Sequence, residues 1–328
     1  SGNRKKEERI TQVVKGVQYM KKPLRSAKGA GCESIMQRVW NSRQSYLFVA
    51  PYMILFFIFT VLPVLFAVAF SFTSFNVLES PEWVGADNYF RLFFKDSVFL
   101  TGVKNTVFLA VILGPGGYIF SLLCAWFINE LPPKPRALVT LVFYAPSISG
   151  NVYLIWSVMF SGDQYGYVNS LLTKIGLIQK PIQFLQDTKY IMPIVIIVSL
   201  WVSLGTGFLS LIAAFQGIDK SYYEAGAIDG IRNRYQELWF ITLPLIRPQM
   251  LFSAVMSITS AFNVGTVITA LCGYPTTDYA GHTIMNHLTD YGLERFEMGY
   301  ACAVAVVLFC MMVGANLLAK HMIAKVGE

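Results

Sequence analysis

Residues 190–218 read YIMPIVIIVSLWVSLGTGFLSLIAAFQGI, 29 positions without an Asp, Glu, Lys or Arg. About 20 apolar residues suffice for a helix to cross the hydrocarbon core of a bilayer. A helix also bonds its own backbone groups, which lipid cannot do. The run therefore predicts a spanning helix. Five more runs lack those four residue types: 44–78, 105–129, 137–162, 248–277 and 298–319. Each exceeds the spanning length. Over all 328 residues 55% are apolar and 14% charged, where a soluble chain carries about 25% charged. A soluble protein with buried helices would spread its charges more evenly. The expected fold is an all-α polytopic membrane protein with six transmembrane helices. They fall at approximately 46–73, 105–129, 137–161, 190–215, 248–272 and 298–320, within a membrane domain 44–328 that follows a basic tail, 1–43.

Charge orients the spans. Six crossings put both termini on one side. The tail 1–43, the turn 129–136, the segment 219–247 and residues 320–328 hold 19 of the 26 Lys and Arg; the opposite side holds seven. Basic residues are retained in the cytoplasm. The expected place is thus the plasma or inner membrane, with multiple passes and both termini cytoplasmic. The net charge of +7 is a topology signal, and no nucleic-acid motif accompanies it. Residues 1–43 do not resemble a signal peptide, because the first apolar core starts only at Tyr46 and is too long. TQVVKGVQYMKKPLR in that tail reads equally as a surface-lying amphipathic helix or a disordered basic arm. Cys32, Cys124, Cys272, Cys302 and Cys310 have no metal spacing, and their odd count argues against a disulfide framework. No GxxxxGK[ST] is present, so the chain has no P-loop for ATP.

Polar residues inside the runs have a helical period. Ser199, Ser203, Thr206 and Ser210 share one face, as do Ser253, Ser257 and Ser260. Small hydroxyl residues commonly glue membrane helices together. Asn151 and Asn263 are costlier to bury and point to a hydrated path. A coupled secondary transporter normally carries intramembrane carboxylates or histidines; none lies in these runs. The candidate lining of a path for a neutral, hydroxyl-rich solute is Ser147, Asn151, Tyr153, Trp156, Ser203, Thr206, Ser257, Ser260 and Asn263. Tyr153 and Trp156 would offer rings to apolar sugar faces, with packing as their ordinary role.

Between the fourth and fifth runs lies the polar loop 216–247, with SYYEAGAIDGIRNRYQELWFITLP at 221–244. Ser221 and Glu224 have the S-x-x-E spacing of a capping box, predicting a helix from Tyr222. Gly230 follows its last turn, where a left-handed glycine ends a helix. Two turns are too few to be stable alone in water, so the helix must dock, either against a partner or on lipid headgroups.

This loop resembles the EAA loop of ABC-importer permeases: Glu-Ala-Ala, three residues, Gly, nine residues, Ile, one residue, Leu-Pro. Glu224, Ala225, Gly230, Ile241, Leu243 and Pro244 match it. Gly226 replaces the second Ala, and the gap before Ile241 is ten residues instead of nine. APY, WVGADNYFRLF, NTVF, FYAPSISGNVYLIWSVMFSGDQYGYVNSLL and MGYACAVAVVLF extend the likeness over about 45–328, to the carbohydrate-uptake, maltose-importer-like branch. The resemblance implies that Tyr223, Glu224, Ala225, Gly226, Asp229, Gly230, Leu243 and Pro244 couple the chain to an ATPase. It implies a second homologous permease, two cytoplasmic ATPase subunits that bind ATP and Mg, and an extracellular solute-binding protein as partners, beside the lipid bilayer. No cofactor is expected in this chain, and no enzymatic activity. The competing reading is a self-sufficient secondary transporter or channel for a neutral polar solute.

Overall fold

The computed structural model describes residues 43–150 and 152–324. The basic tail, Asn151 and the last four residues lie outside that range, and so do the alternatives considered for the tail. The chain divides into two compact units, 1–63 and 64–328. Among the described residues no strand forms beyond an isolated antiparallel bridge between Thr73 and Trp83.

Three helices are unbroken and apolar enough to span: α1, Tyr46–Phe70; α2, Ser97–Asn129; and a last one, Met298–Ile323. The others come in pieces. In chain order they are α3 (Pro133–Ile148), α4 (Val152–Met159), α5 (Tyr167–Lys174), α6 (Thr188–Val202), α7 (Thr206–Gln216), α8 (Lys220–Ile228), α9 (Arg234–Leu245), α10 (Arg247–Phe262), α11 (Gly265–Cys272) and α12 (Ile284–Thr289). The long final helix is α13, Met298–Ala324. The pair α3 and α4, the pair α6 and α7 (41°) and the pair α9 and α10 (84°) are each bent by more than 40°. With each pair taken as one span, there are up to six among the described residues, by length and composition.

The expected boundaries shift accordingly. The first span ends at Phe70, before 73. The second begins at Ser97, not Asn105, because Asp96 accepts the Phe99 amide and caps it. Lys104 therefore lies within the helix and does not bound it. At 33 residues and 1.5 Å each, α2 is about 50 Å long, well beyond the hydrocarbon core. The third, fourth and fifth apolar runs are not single helices. Gly205 leaves helical geometry (φ −100°, ψ −144°) and parts α6 from α7. Asn263 and Val264 part α10 from α11.

Three apolar clusters hold the second unit together. Leu109, Leu113, Ile194, Val198 and Ile268 form one. Leu204, Phe208, Leu211, Leu243, Ile246 and Met250 form another. Phe99, Ile284, Tyr300 and Val304 belong to the third. Helices α2, α7 and α10 pack on one another, and α13 packs on α10.

Candidate functional site

The loop 216–247 folds on itself. Asp219, not Ser221, caps α8: its carboxylate accepts the Ser221 amide at 2.9 Å. That bond holds the Asp219 carboxyl below its usual range. The capping-box expectation is thus corrected, since an acceptor two residues earlier takes the start of the helix and leaves Ser221 inside it. Gly230 ends the helix as expected, at φ +94°. The Ile231 amide donates to Gly226 O (2.9 Å) and the Gly230 amide to Ala227 O (3.3 Å), the paired bonds of a Schellman cap.

The helix has two faces with different work. Gly226 is buried, and a methyl built there would lie 2.5 Å from Ile241 Cδ1 and 3.3 Å from Ile231 Cδ1. The Tyr223 hydroxyl meets Thr242 Oγ1 at 3.0 Å. Leu243 is buried in the second cluster, while Pro244 is exposed. So Tyr223, Gly226 and Leu243 face this chain's own interior. Tyr222, Ala225, Ile228 and Asp229 face outward, with Ile228 86% exposed. Glu224 stands on the rim of a groove with Arg136, Lys220 and Arg234. Arg234 bridges Glu130 (3.5 Å) and Glu237 (2.9 Å). Within α9, residues Leu238–Thr242 form a π-turn. A π-turn takes one residue more per ring than an α-turn.

Two adjoining clefts, of about 260 and 180 Å³, share Val202, Ser203, Ser257 and Ser260. Ser147 and Thr206 line the first, Tyr153 and Asn263 the second. Their walls are the broken helices. Ser147 Oγ donates to Leu204 O (2.6 Å) across the α6–α7 break. Ser203 donates to Leu200 O (2.6 Å), Ser257 to Gly114 O (2.8 Å) and the Asn263 amide to Thr259 O (3.0 Å). Trp156 stands apart from both clefts. It is 8% exposed, edge-on to Trp201 (5.0 Å) and stacked on Phe160 (5.9 Å), so its ring is used in packing. Asn151 lies outside the described residues. Ser121 and Ser253 join the first cleft; the Ser253–Ser257–Ser260 period was a signal for one of them, and nothing local flagged Ser121.

At the other end of α2 sits a cluster that sequence spacing did not show. Asp96 accepts the Phe99 amide (2.8 Å) and the Tyr300 hydroxyl (2.9 Å). His287 Nε2 lies 3.3 Å from Asp96 Oδ2 without hydrogen-bond alignment, and His287 Nδ1 meets His282 Nε2 at 3.1 Å. Burial pushes the Asp96 carboxyl up, but the Phe99 amide, Tyr300 and His287 outweigh it and hold it below its usual range. Burial, then the neighbouring His287, pushes His282 down to about 4. Burial also pushes His287 down, against the pull of Asp96 and Asp290. Arg295 pairs with Asp290 at 2.8 Å, and Arg91 with Glu297.

Broken apolar helices around a hydroxyl-lined cleft, with a short capped helix between two of the bent pairs, define an integral membrane protein with a polar interior. Residues 117–327 match the family described as binding-protein-dependent transport system inner membrane component, and the chain belongs to it. The probable ABC transporter permease protein YesP of Bacillus subtilis (strain 168) is 32% identical over 274 residues, 81% of this chain and 86% of YesP. The lactose transport system permease protein LacF of Rhizobium radiobacter is 30% identical over 277 residues, 81% of this chain and 89% of LacF. A bacterial alginate ABC transporter, solved in complex with alginate pentasaccharide-bound periplasmic protein, has a chain that matches with a TM-score of 0.73 at 25% identity. The match covers 90% of this chain and 99% of that one.

Proposed function

We propose that the chain is the permease subunit of an ATP-driven importer for a sugar or oligosaccharide. With a second, homologous permease it forms the path; two cytoplasmic ATPase subunits, holding ATP and Mg, drive it; an extracellular solute-binding protein delivers the cargo. ATP hydrolysis belongs to those subunits, not to this chain. The loop 216–247 and both termini are cytoplasmic in this reading, in keeping with the bias of basic residues. The substrate class draws support from the relatives, among them the arabinooligosaccharides transport system permease protein AraP of Bacillus subtilis, and from a cleft lined by hydroxyls without a charged group.

One observation carries the coupling role. Helix α8 is fastened from beneath, yet presents Ile228 and Tyr222 to the outside. A helix this short is not stable alone in water, and an apolar outward edge on it suits a covering partner. Ile228→Glu changes no contact within the loop and charges that surface. Co-expressed with the ATPase, this variant should lose ATPase co-purification and ATP-dependent uptake. Retention of both by Ile228→Glu rules out docking through α8.

A further inference from the structure

We infer that Thr242 is a positioning residue for the coupling step: its hydroxyl locks α8 to the segment that leads into α10. The inference rests on the reading that α8 docks an ATPase. Thr242 is 4% exposed. Its hydroxyl has one proton and two lone pairs. Two groups surround it, the Glu237 carbonyl at 3.2 Å and the Tyr223 hydroxyl at 3.0 Å. One assignment serves both: Thr242 donates to Glu237 O, and the Tyr223 hydroxyl donates to Thr242. The first bond closes the π-turn Leu238–Thr242 from inside. The second crosses to α8.

Tyr223 and Gly226 are three residues apart and so lie on one face of α8. That face has two attachments to α9. The contact of Ile241 with Gly226 is apolar, and apolar contacts are non-directional. The Tyr223–Thr242 bond is directional and fixes the register. Beyond Thr242 the chain passes at once into Leu243, Ile246 and Met250, all buried in the second cluster. It then becomes α10, which carries Ser253, Ser257 and Ser260 to the first cleft. Beside the covalent path back through α7 and the apolar contact at Ile241, the hydroxyl pair is a directional link that carries a displacement of α8 to the cleft wall. Without it, α8 keeps its docking face but slides on Ile241.

The test uses the chain co-expressed with the ATPase and the second permease of its host, with Asn263→Cys as a reporter in the cleft and the native cysteines removed. A membrane-impermeant maleimide reads its accessibility with and without ATP and vanadate. Thr242→Val keeps the shape and removes the hydroxyl; Tyr223→Phe breaks only the bond to α8 and leaves the π-turn closed. Both should still co-purify the ATPase, and both should reduce the ATP-dependent change at Asn263→Cys several-fold. Thr242→Ser should restore it, and the double variant should be no worse than either single one. An unreduced change in Tyr223→Phe overturns the inference while docking stands. So does loss of ATPase co-purification in Thr242→Val, which makes the residue a plain structural support. A reporter that ignores ATP with Thr242 intact also overturns it, since there is then no motion to transmit. Failure of the unmodified chain to retain the ATPase at all removes the docking reading instead.

Discussion

At Gly226 helix propensity and packing oppose each other. Alanine there gains about 1 kcal/mol of helix propensity. Its methyl meets Ile241 Cδ1 at 2.5 Å, and overpacking costs about 1–3 kcal/mol. The obstructing atom is the free end of a side chain, so it turns aside cheaply. Gly226→Ala should leave the thermal unfolding midpoint of the chain nearly unchanged. Gly226→Trp should displace Ile241 and Ile231 together and lower the midpoint in the chain purified alone, without any partner. A Trp variant as stable as the parent refutes this placement. Loss of partner capture by Gly226→Trp therefore reports on internal packing and is no measure of docking. The sequence located Gly226 on a short helix but not its facing. A nine-residue helix has apolar groups on two sides, and only the fold shows that Ile241 takes one of them. Trp156 teaches the same lesson: a tryptophan beside serines suits a sugar face or a core equally, and Trp201 and Phe160 decide for the core.

The helix α8 starts where its carboxylate cap puts it. Asp219→Ala should lower local helix stability, as the loss of an N-cap does, whereas Ser221→Ala should cost little. Hydrogen exchange across 219–230 compares them. Equal protection in both variants contradicts the Asp219 cap; greater loss in Ser221→Ala restores the original box. The six apolar runs were legible because the absence of charge over 22 or more residues has few other causes. Their breaks were not. Hydropathy averages over a window and is blind to one residue such as Gly205 leaving helical geometry. It is equally blind to Asn263, whose side chain bonds the Thr259 carbonyl at the end of α10. The start of α2 was missed for the converse reason: Lys104 looked like a boundary, and the Asp96 cap lay outside the apolar run.

The start of α2, the segment around α12 and the start of α13 are joined by groups that are strangers in sequence. Asp96 on the cap of α2, His282 just before α12, His287 within it, and Tyr300 on α13 meet in one place, with Asp290, Tyr291, Arg295 and Arg91 around them. No spacing rule links positions 96, 287 and 300, so the cluster could not be read from the chain. It makes whole-molecule stability sensitive to acid. Both histidines are held below the ordinary value of 6.5, His282 at about 4. The unfolded chain takes up protons below that value which the folded chain refuses. Stability is thus complete above about pH 6.5 and declines as pH falls toward 4. For His282 alone the loss between pH 7 and 5 is roughly 2 kcal/mol. Asp96, held below its usual range, adds its own loss only at still lower pH. Unfolding midpoints should therefore drop across that window, and His282→Gln should flatten the slope. A flat profile in the parent, or an unchanged slope in the variant, contradicts this account.

Part of the hydroxyl lining of the clefts has already spent its protons. Ser147, Ser203, Ser257 and Thr266 donate to backbone carbonyls of the surrounding helices. Their oxygens keep lone pairs and accept, while Ser199, which lines the second cleft, has a hydroxyl without a partner, so the wall offers both kinds of group. A passing polyol can donate to the one kind and accept from the other. In the proposed importer, such a wall suits the two-way hydrogen bonding of a hydroxyl-rich cargo.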